Sequence, residues 1–386
     1  MDGSDRLTIR VADSLAEVPA AEWDACAGGD NPFVSHAFLR ALEESGSATA
    51  ETGWLPQHLL LEDGAGKLLG AVPLYLKSHS YGEYVFDHGW AEAYERAGGV
   101  YYPKLQAAVP FTPVTGPRLL LRPGAGPEAM KLLIAALLEV AKRMNVSSLH
   151  VTFPTGAECR ALAESGFLIR TGRQFHWENR GYRDFDDFLE SLNARKRKQI
   201  RRERRAANQG VAIETLTGPA IEKRHWDAFF RFYTSTSDRK WGSAYLTRPF
   251  FDLLGARLAD RVVLVMAKAD GRYVAGALNL MGPDTLYGRN WGCSGDFPFL
   301  HFEACYYRAI DFAIARGLKR VEAGAQGAHK IQRGYLPVAT WSAHWIRDAG
   351  FRRAVEDFLK RETRAIEQEM DELETVLSPF KRGDEP

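Results

Sequence analysis

The chain has 386 residues, room for two domains of ordinary size, and is 45% hydrophobic and 26% charged, a globular balance. Its net charge is +1, so no overall field draws it to nucleic acid or a membrane, and any basic site must be local. The cysteines (Cys26, Cys159, Cys293, Cys305) lack close metal-ligand spacing, so reduced thiols in a cytoplasmic protein are expected, with no metal. The opening MDGSDRLTIRVAD predicts no secretion signal, and the longest apolar run, near LLIAALLEVA, falls short of the ~20 residues of a membrane span.

In chain order, QHLLLEDGAGKLLGAVPLYL (57–76) reads as strand, turn, strand. RVVLVMAKADGRYVAGALNLM (261–281) repeats that unit. Both turns carry Asp-Gly, a hairpin signal because glycine supplies positive φ. Each hairpin is followed by an amphipathic helix and a strand: EAMKLLIAALLEVAKRMNV then SSLHVTF, and EACYYRAIDFAIARGL then KRVEAGA. GFLIRTGRQFHW and GYLPVATWSAHW then align. Gly166, Phe167, His176 and Trp177 pair with Gly334, Tyr335, His344 and Trp345, each 168 positions later (334 minus 166, for example). The chain therefore reads as an internal duplication of an α/β unit with mixed sheets. The predicted domains are 1–180 and 181–348, followed by a helix and tail at 349–386. Apolar Phe351, Val355, Phe358, Leu359, Ile366, Met370, Leu373 and Leu377 make that tail one amphipathic helix. It is expected to pack on its own domain, since the seam is short for a coiled coil; monomer and dimer both stay open.

FDDFLESLNARKRKQIRRERRAAN (185–208) reads as one helix with a basic second half, relieved only by Glu203. Arg195, Lys198, Arg202 and Arg205 fall on one face. Like charges four apart repel, so an anionic partner rich in phosphate is expected there: a nucleotide, a lipid-linked intermediate or tRNA. A plain solvated face is the alternative. No sequence-reading nucleic-acid motif accompanies the run, which argues against DNA.

YYPKLQAAVPFTPVTGPRLL (101–120) sets four prolines among aromatics, a stiff segment that is either a crossover or a substrate-channel wall. Its candidate contacts are Tyr102, Lys104, Phe111 and Thr112. SDRKWGSAYLTRPFF (237–251) and YGRNWGCSGDFPFLHFEACYY (287–307) place Trp-Gly in turns, with Asp238, Trp241, Arg289 and Trp291 as candidate substrate contacts. His301 and Glu303 open a helix, where either serves the structure or handles a proton. In GAQGAHKIQRGYLP (324–337), the residues Gly324, Gln326, Gly327, Lys330, Arg333, Gly334 and Tyr335 suit a main chain that meets a phosphate with cations beside it.

Together YYPKLQAAVPFTPVTGPRLL, QFHWENRGY, ARKRKQIRRERR, LHFEACYYRAI and GAQGAHKIQRGYLP closely resemble the FemAB-like predicted N-acyltransferase family of bacteria, labelled peptidoglycan biosynthesis or recognition. That family sits within the acyl-CoA N-acyltransferase (GNAT) superfamily, and the similarity spans roughly residues 20 to 350. The resemblance implies tandem GNAT-like domains that transfer an acyl group, most readily from acyl-CoA, to an amine. No tightly bound cofactor is implied. Where the family usually has an acid before His-Lys, this chain has Ala328, so Glu322, Glu303 and His329 are the substitute bases. Such chemistry needs a base, oxyanion donors and two well-placed substrates, without metal or covalent intermediate. Two alternatives stay open: an aminoacyl-tRNA-dependent Fem-type ligase, and a recognition protein that kept the fold and lost the chemistry.

Overall fold

The computed structural model describes residues 7–241, 244–324 and 327–381, the side chains of 127, 237–241 and 328 excepted. The chain divides into two units: Met1–Gly172 with Ala339–Ile366, and Arg173–Val338 with Glu367–Pro386. The division falls inside strands Leu168–Glu178 and Leu336–Ile346 and inside helix Ala349–Leu377 rather than at linkers.

In the first unit the predicted hairpin is strands His58–Glu62 and Leu68–Val72, flanked by Thr8–Ala12 and Leu120–Leu121. The turn is longer than two residues, and Asp63 Oδ1 ties it by accepting from the Ala65 and Lys67 amides. A second row runs Trp54–Pro56, Leu74–Lys77, Lys104–Ala107, Ser148–Thr152, then the end of Leu336–Ile346. Lys104–Ala107 and Ser148–Thr152 are parallel, with Gln106 opposite His150. A parallel pair needs a long crossover, and helix Pro127–Arg143 supplies it, burying Leu133, Ile134, Leu137 and Ala141 against Leu105, Leu149 and Val151. In the long C-terminal helix Val355 and Leu359 are buried beside Trp90, Tyr101 and Leu168, while Phe358 is 39% exposed, so the apolar row is only partly covered.

The second unit repeats the scheme. Strands Val211–Thr217, Val262–Ala269, Arg272–Met281 and Thr285–Cys293 form an antiparallel meander. Its Asp270-Gly271 turn has φ of 48° and 74°, the two-residue hairpin geometry that glycine favours. Thr285–Cys293 then runs parallel to Arg320–Glu322 across a helical crossover at 300–316. Arg320–Glu322 pairs on its other side with Leu168–Glu178, Glu322 opposite His176.

Two expectations change. The 185–208 stretch is two helices, Phe185–Ser191 and Ala194–Ala207, because Asn193 takes an extended conformation and its side chain caps the second by accepting from the Lys196 amide at 3.0 Å. Trp291-Gly292 lies within strand Thr285–Cys293, not in a turn. A Cβ at Gly292 would sit 2.2 Å from the Phe232 carbonyl oxygen, so glycine is required by the approach of helix Lys223–Trp241.

Candidate functional site

The second unit gathers most of the candidate residues. Thr285–Cys293 and Arg320–Glu322 pair from Thr285↔Arg320 through Tyr287↔Glu322 and no further, while Thr285–Cys293 continues along its antiparallel neighbour to Cys293. Glu322 is therefore the last residue of the parallel step. It is 6% exposed, and its Oε2 has no hydrogen-bond partner among the described residues; His176 Nε2 stands 3.9 Å away. Burial pushes the Glu322 carboxyl up to about 7, with Glu178 adding to the shift against the Arg320 and Arg289 charges. Burial holds His176 down at about 3, so it is a neutral imidazole. A buried acid raised towards neutrality with one unsatisfied oxygen is a candidate for proton transfer, a combination also met at Glu83 in the first unit.

The crossover after Thr285–Cys293 is not a regular helix. Leu300–Phe302 and Arg308–Arg316 are joined by a π-helical turn, Glu303–Tyr307, a wide turn frequent at functional sites. The residue before Leu300–Phe302, Phe299, sits at φ 62° in the left-handed region. The wide turn directs Glu303, Tyr306 and Tyr307 into the unit, where all three are buried. Half-buried Trp291, His301, Phe302 and His329 form an aromatic cluster with Tyr306. Ring centroids lie 5.4 Å apart for Trp291–His301, 5.3 Å for His301–Tyr306 and 5.4 Å for Phe302–His329. His329 Nε2 meets the Tyr306 hydroxyl at 3.0 Å. Burial, then the Arg333 and Lys330 charges, lower the His329 pKa. Arg289 is half-buried on the same strand as Trp291, and its charge acts on Glu322.

The glycine-rich segment after Glu322 is a short helical turn, Ala328–Arg333, between Gly327 and Gly334 at φ 97° and 88°. A Cβ on Gly327 would strike the His329 ring at 2.3 Å, so only glycine lets that imidazole fold back. The cations here do not face outward as the sequence suggested. Lys330 is 4% exposed and donates to the carbonyls of Ala323 (2.6 Å) and Gly324 (3.1 Å), and burial lowers it to about 8. Arg333 is 3% exposed, donates Nη2 to both Glu203 oxygens at 2.9 and 3.0 Å, and lies 3.5 Å over the Phe302 ring. Both organise the turn from inside, because a buried cation must find acceptors within the protein. Tyr335 is fully buried with its hydroxyl on the Tyr306 carbonyl, so its side chain is core. Glu303 is also corrected: it is fully buried between Arg204 (Nε at 3.1 Å) and Arg308 (2.9 Å), an anchor rather than a proton carrier. Gln326 and the side chains of Asp238 and Trp241 lie outside the described residues.

The basic helix Ala194–Ala207 keeps the predicted face. Arg195, Lys198, Arg202 and Arg205 are among the residues that, with Arg197 and Arg201, line a groove of about 660 Å³. Among the described residues those first four have no ion-pair or hydrogen-bond partner, whereas Arg197 and Arg201 pair with Glu190 and Asp186. Such a row of unpaired cations along a groove concentrates positive potential there.

In the first unit, Tyr102, Lys104, Phe111 and Thr112 do not make a channel wall. Lys104 has no exposure and its ammonium is held by Ser80 (2.7 Å), Glu83 (2.8 Å) and Asp87. Phe111 packs on Trp54 at 5.3 Å, Thr112 donates to the Pro110 carbonyl, and Tyr102 meets Ser80 at 2.8 Å. Sequence reasoning missed Glu203, Tyr306, Tyr307 and His176. The one signal was Glu203, the lone acid in a run of cations.

A family model described as FemAB-like, peptidoglycan biosynthesis or recognition, matches residues 14–382. The chain belongs to the FemAB-like family. Among solved structures it is similar to FemX, at 13% identity over 88% of this chain and 98% of that one, with a TM-score of 0.55. A second is the C-terminal domain of a putative lysylphosphatidylglycerol synthetase from Agrobacterium fabrum (10% identity, 92% and 98% covered, TM-score 0.55). A third is L-PGS from Bacillus licheniformis (10% identity, 89% and 99% covered, TM-score 0.51). At these identities the likeness is one of fold, and the chain has the mixed α/β architecture in two repeated units that the sequence predicts. No curated protein matches the sequence.

Proposed function

We propose that this FemAB-like chain moves an acyl or aminoacyl group from a phosphate-bearing carrier to an amine of a cell-wall precursor, with Glu322 accepting the proton of the attacking nitrogen. The observation that supports it best is the Glu322 carboxyl itself: buried, unpartnered at one oxygen and raised to about 7 at the end of the parallel step. A base works best with a pKa near the operating pH. The amine attacks the carbonyl carbon of an ester or thioester, the C–N bond forms, and the nitrogen's proton passes to Glu322. Collapse breaks the C–O or C–S bond, and the departing oxygen or sulfur takes up a proton. His329, its pKa lowered by burial and its ring hydrogen-bonded to Tyr306, is the second proton carrier in this scheme. The family's link to peptidoglycan supports the choice of acceptor.

The groove on the basic helix holds the carrier's phosphates. Acyl-CoA is the first carrier. Aminoacyl-tRNA is the second, and the reach of the cations favours it: Arg195 to Arg205 is ten helical residues, about 15 Å, or about four phosphates of a strand at 3.4 Å each. The test supplies acetyl-CoA, longer acyl-CoAs or charged tRNA together with UDP-linked muropeptide precursors, and follows free thiol, uncharged tRNA and product mass. Product should form with the native chain and fail with Glu322→Gln. Equal rates in both would remove Glu322 from the scheme. Binding of these ligands without any turnover would favour a recognition protein on the same fold.

A further inference from the structure

The basic helix has a second face. Away from the groove Lys196 Nζ donates to Gln332 Oε1 at 3.0 Å, and Gln199, which lines the groove, donates inward to Glu203 at 2.9 Å. Glu203, 2% exposed, takes both Arg333 contacts and the Tyr307 hydroxyl, while Arg204 reaches Glu303 and Asp311. The connection continues through Arg333, whose Nη1 donates to the His329 carbonyl at 2.7 Å. In the same turn Lys330 holds the carbonyls of Ala323 and Gly324, the two residues that follow Glu322. One fourteen-residue helix thus lines the groove on one side and grips the 328–333 turn and the π-helical turn on the other.

The outward charges oppose that helix. Lys198 and Arg202 stand four apart as like charges with no acid beside them, and such a pair destabilises a helix until an anion neutralises it. An anion that favours the well-formed helix must favour, by the same free energy, whatever the helix holds on its inner face.

We infer that Glu203 is a positioning residue that couples occupancy of the cationic groove to ordering of the 327–334 turn behind Glu322. The inference rests on the carrier role given to the groove above. An occupied groove steadies Glu203, Glu203 steadies Arg333, and Arg333 with Lys330 sets the backbone around His329 and beyond Glu322. Transfer is then favoured when a carrier is bound and disfavoured in the empty protein.

Hydrogen exchange on the full chain tests this, with bulk tRNA and, separately, inorganic tripolyphosphate as probes. Binding to the native chain should slow exchange at 327–334 by about 5- to 150-fold, the usual range of such couplings. Glu203→Leu with Arg333→Met replaces the pair by apolar side chains and leaves neither partner as an unpaired buried charge. That variant should bind the probes as the native chain does, within about twofold given the untouched outward face, yet show no slowing. Glu203→Gln, which keeps the side-chain size, should show the same loss and stands in if the double variant misfolds. Slowing that persists in these variants, or binding without slowing in the native chain, overturns the coupling. Failure of both probes to bind the native chain removes the carrier reading itself, and the coupling with it.

Discussion

The centres of the two units are built alike and filled differently. In the first, the strand position at the parallel step is His150, opposite Gln106 on one side and His344 on the other. In the second it is Glu322, opposite Tyr287 and His176, and His176 is the repeat counterpart of His344. The first centre bonds both of its imidazoles at each nitrogen, while the acids at its edge, Glu83 and Asp87, each keep one oxygen without a hydrogen-bond partner among the described residues. His150 Nδ1 meets His344 Nδ1 at 2.6 Å, Ser148 and Ser342 take the far nitrogens at 2.8 Å, and Tyr101 leads on to Asp87 and Lys104. Burial lowers both imidazoles, His150 to about 3, so they sit neutral in contact. Burial opposes the Lys104 charge, but Glu83 and Asp87 outweigh it and raise its pKa. The second centre leaves an acid oxygen unpaired. At the matching strand position the two copies therefore differ in kind: an imidazole bonded at both nitrogens in one, a carboxyl with one unpartnered oxygen in the other.

The sharpest way to break this comparison is to exchange the two central residues for glutamine in turn. Glu322→Gln should lower the transfer rate by about 10²- to 10⁴-fold with carrier affinity unchanged, measured by product formation and thermal shift. His150→Gln should leave the rate within about threefold and instead lower stability by about 1–3 kcal/mol for the broken buried network. A large rate loss from the His150 change would mean that the first centre is also chemical.

Next in size is Lys104→Met, which strands Glu83 and Asp87 in the core and should cost about 3–5 kcal/mol in urea unfolding. Lys330→Met frees only two carbonyls and should cost less, about 1–3 kcal/mol. Equal costs would mean that the turn matters to the fold as much as the ion cluster does.

A pH series separates the centres again. The Glu322 pKa is raised on folding, so the native state holds its proton more tightly than the unfolded chain does. Stability from this group is full below about 4.5 and is lost as pH rises towards and past about 7. Glu322→Gln should therefore gain up to about 3 kcal/mol on the native chain between pH 4.5 and 8, read from melting curves, while the transfer rate of the native chain rises through pH 7. A flat difference would show that Glu322 is not buried as described. The smallest effect is Arg195→Ala with Arg202→Ala, which should weaken binding of a polyanion at low salt and reduce the slope of log affinity against log salt by about 2.

Much of this frame was legible beforehand because it is local or periodic. The Asp-Gly turns, the four matched pairs and the face shared by Arg195, Lys198, Arg202 and Arg205 follow from spacing alone. Glu322 was singled out with Glu303 and His329 as a substitute for the acid that the family usually has before His-Lys, and the structure buries it on the preceding strand. What misled was partnership across distance. Arg333 in a glycine-rich segment reads the same whether its acceptor is a phosphate outside or Glu203, 130 residues upstream. Lys104 looked like a channel cation for the same reason, its acids lying 17 and 21 residues before it in a stretch without periodicity. The break at Asn193 was hidden because a capping residue inside a helical pattern costs the pattern nothing.

The wide turn at Glu303–Tyr307 has an evolutionary corollary. It holds one residue more than ordinary winding would. Deleting a single residue there would restore a regular helix and swing everything after it by about 100°. Tyr307 would then leave Glu203 and Asp311 would leave Arg204, so the length of this stretch should resist change in descendants far more than its composition does.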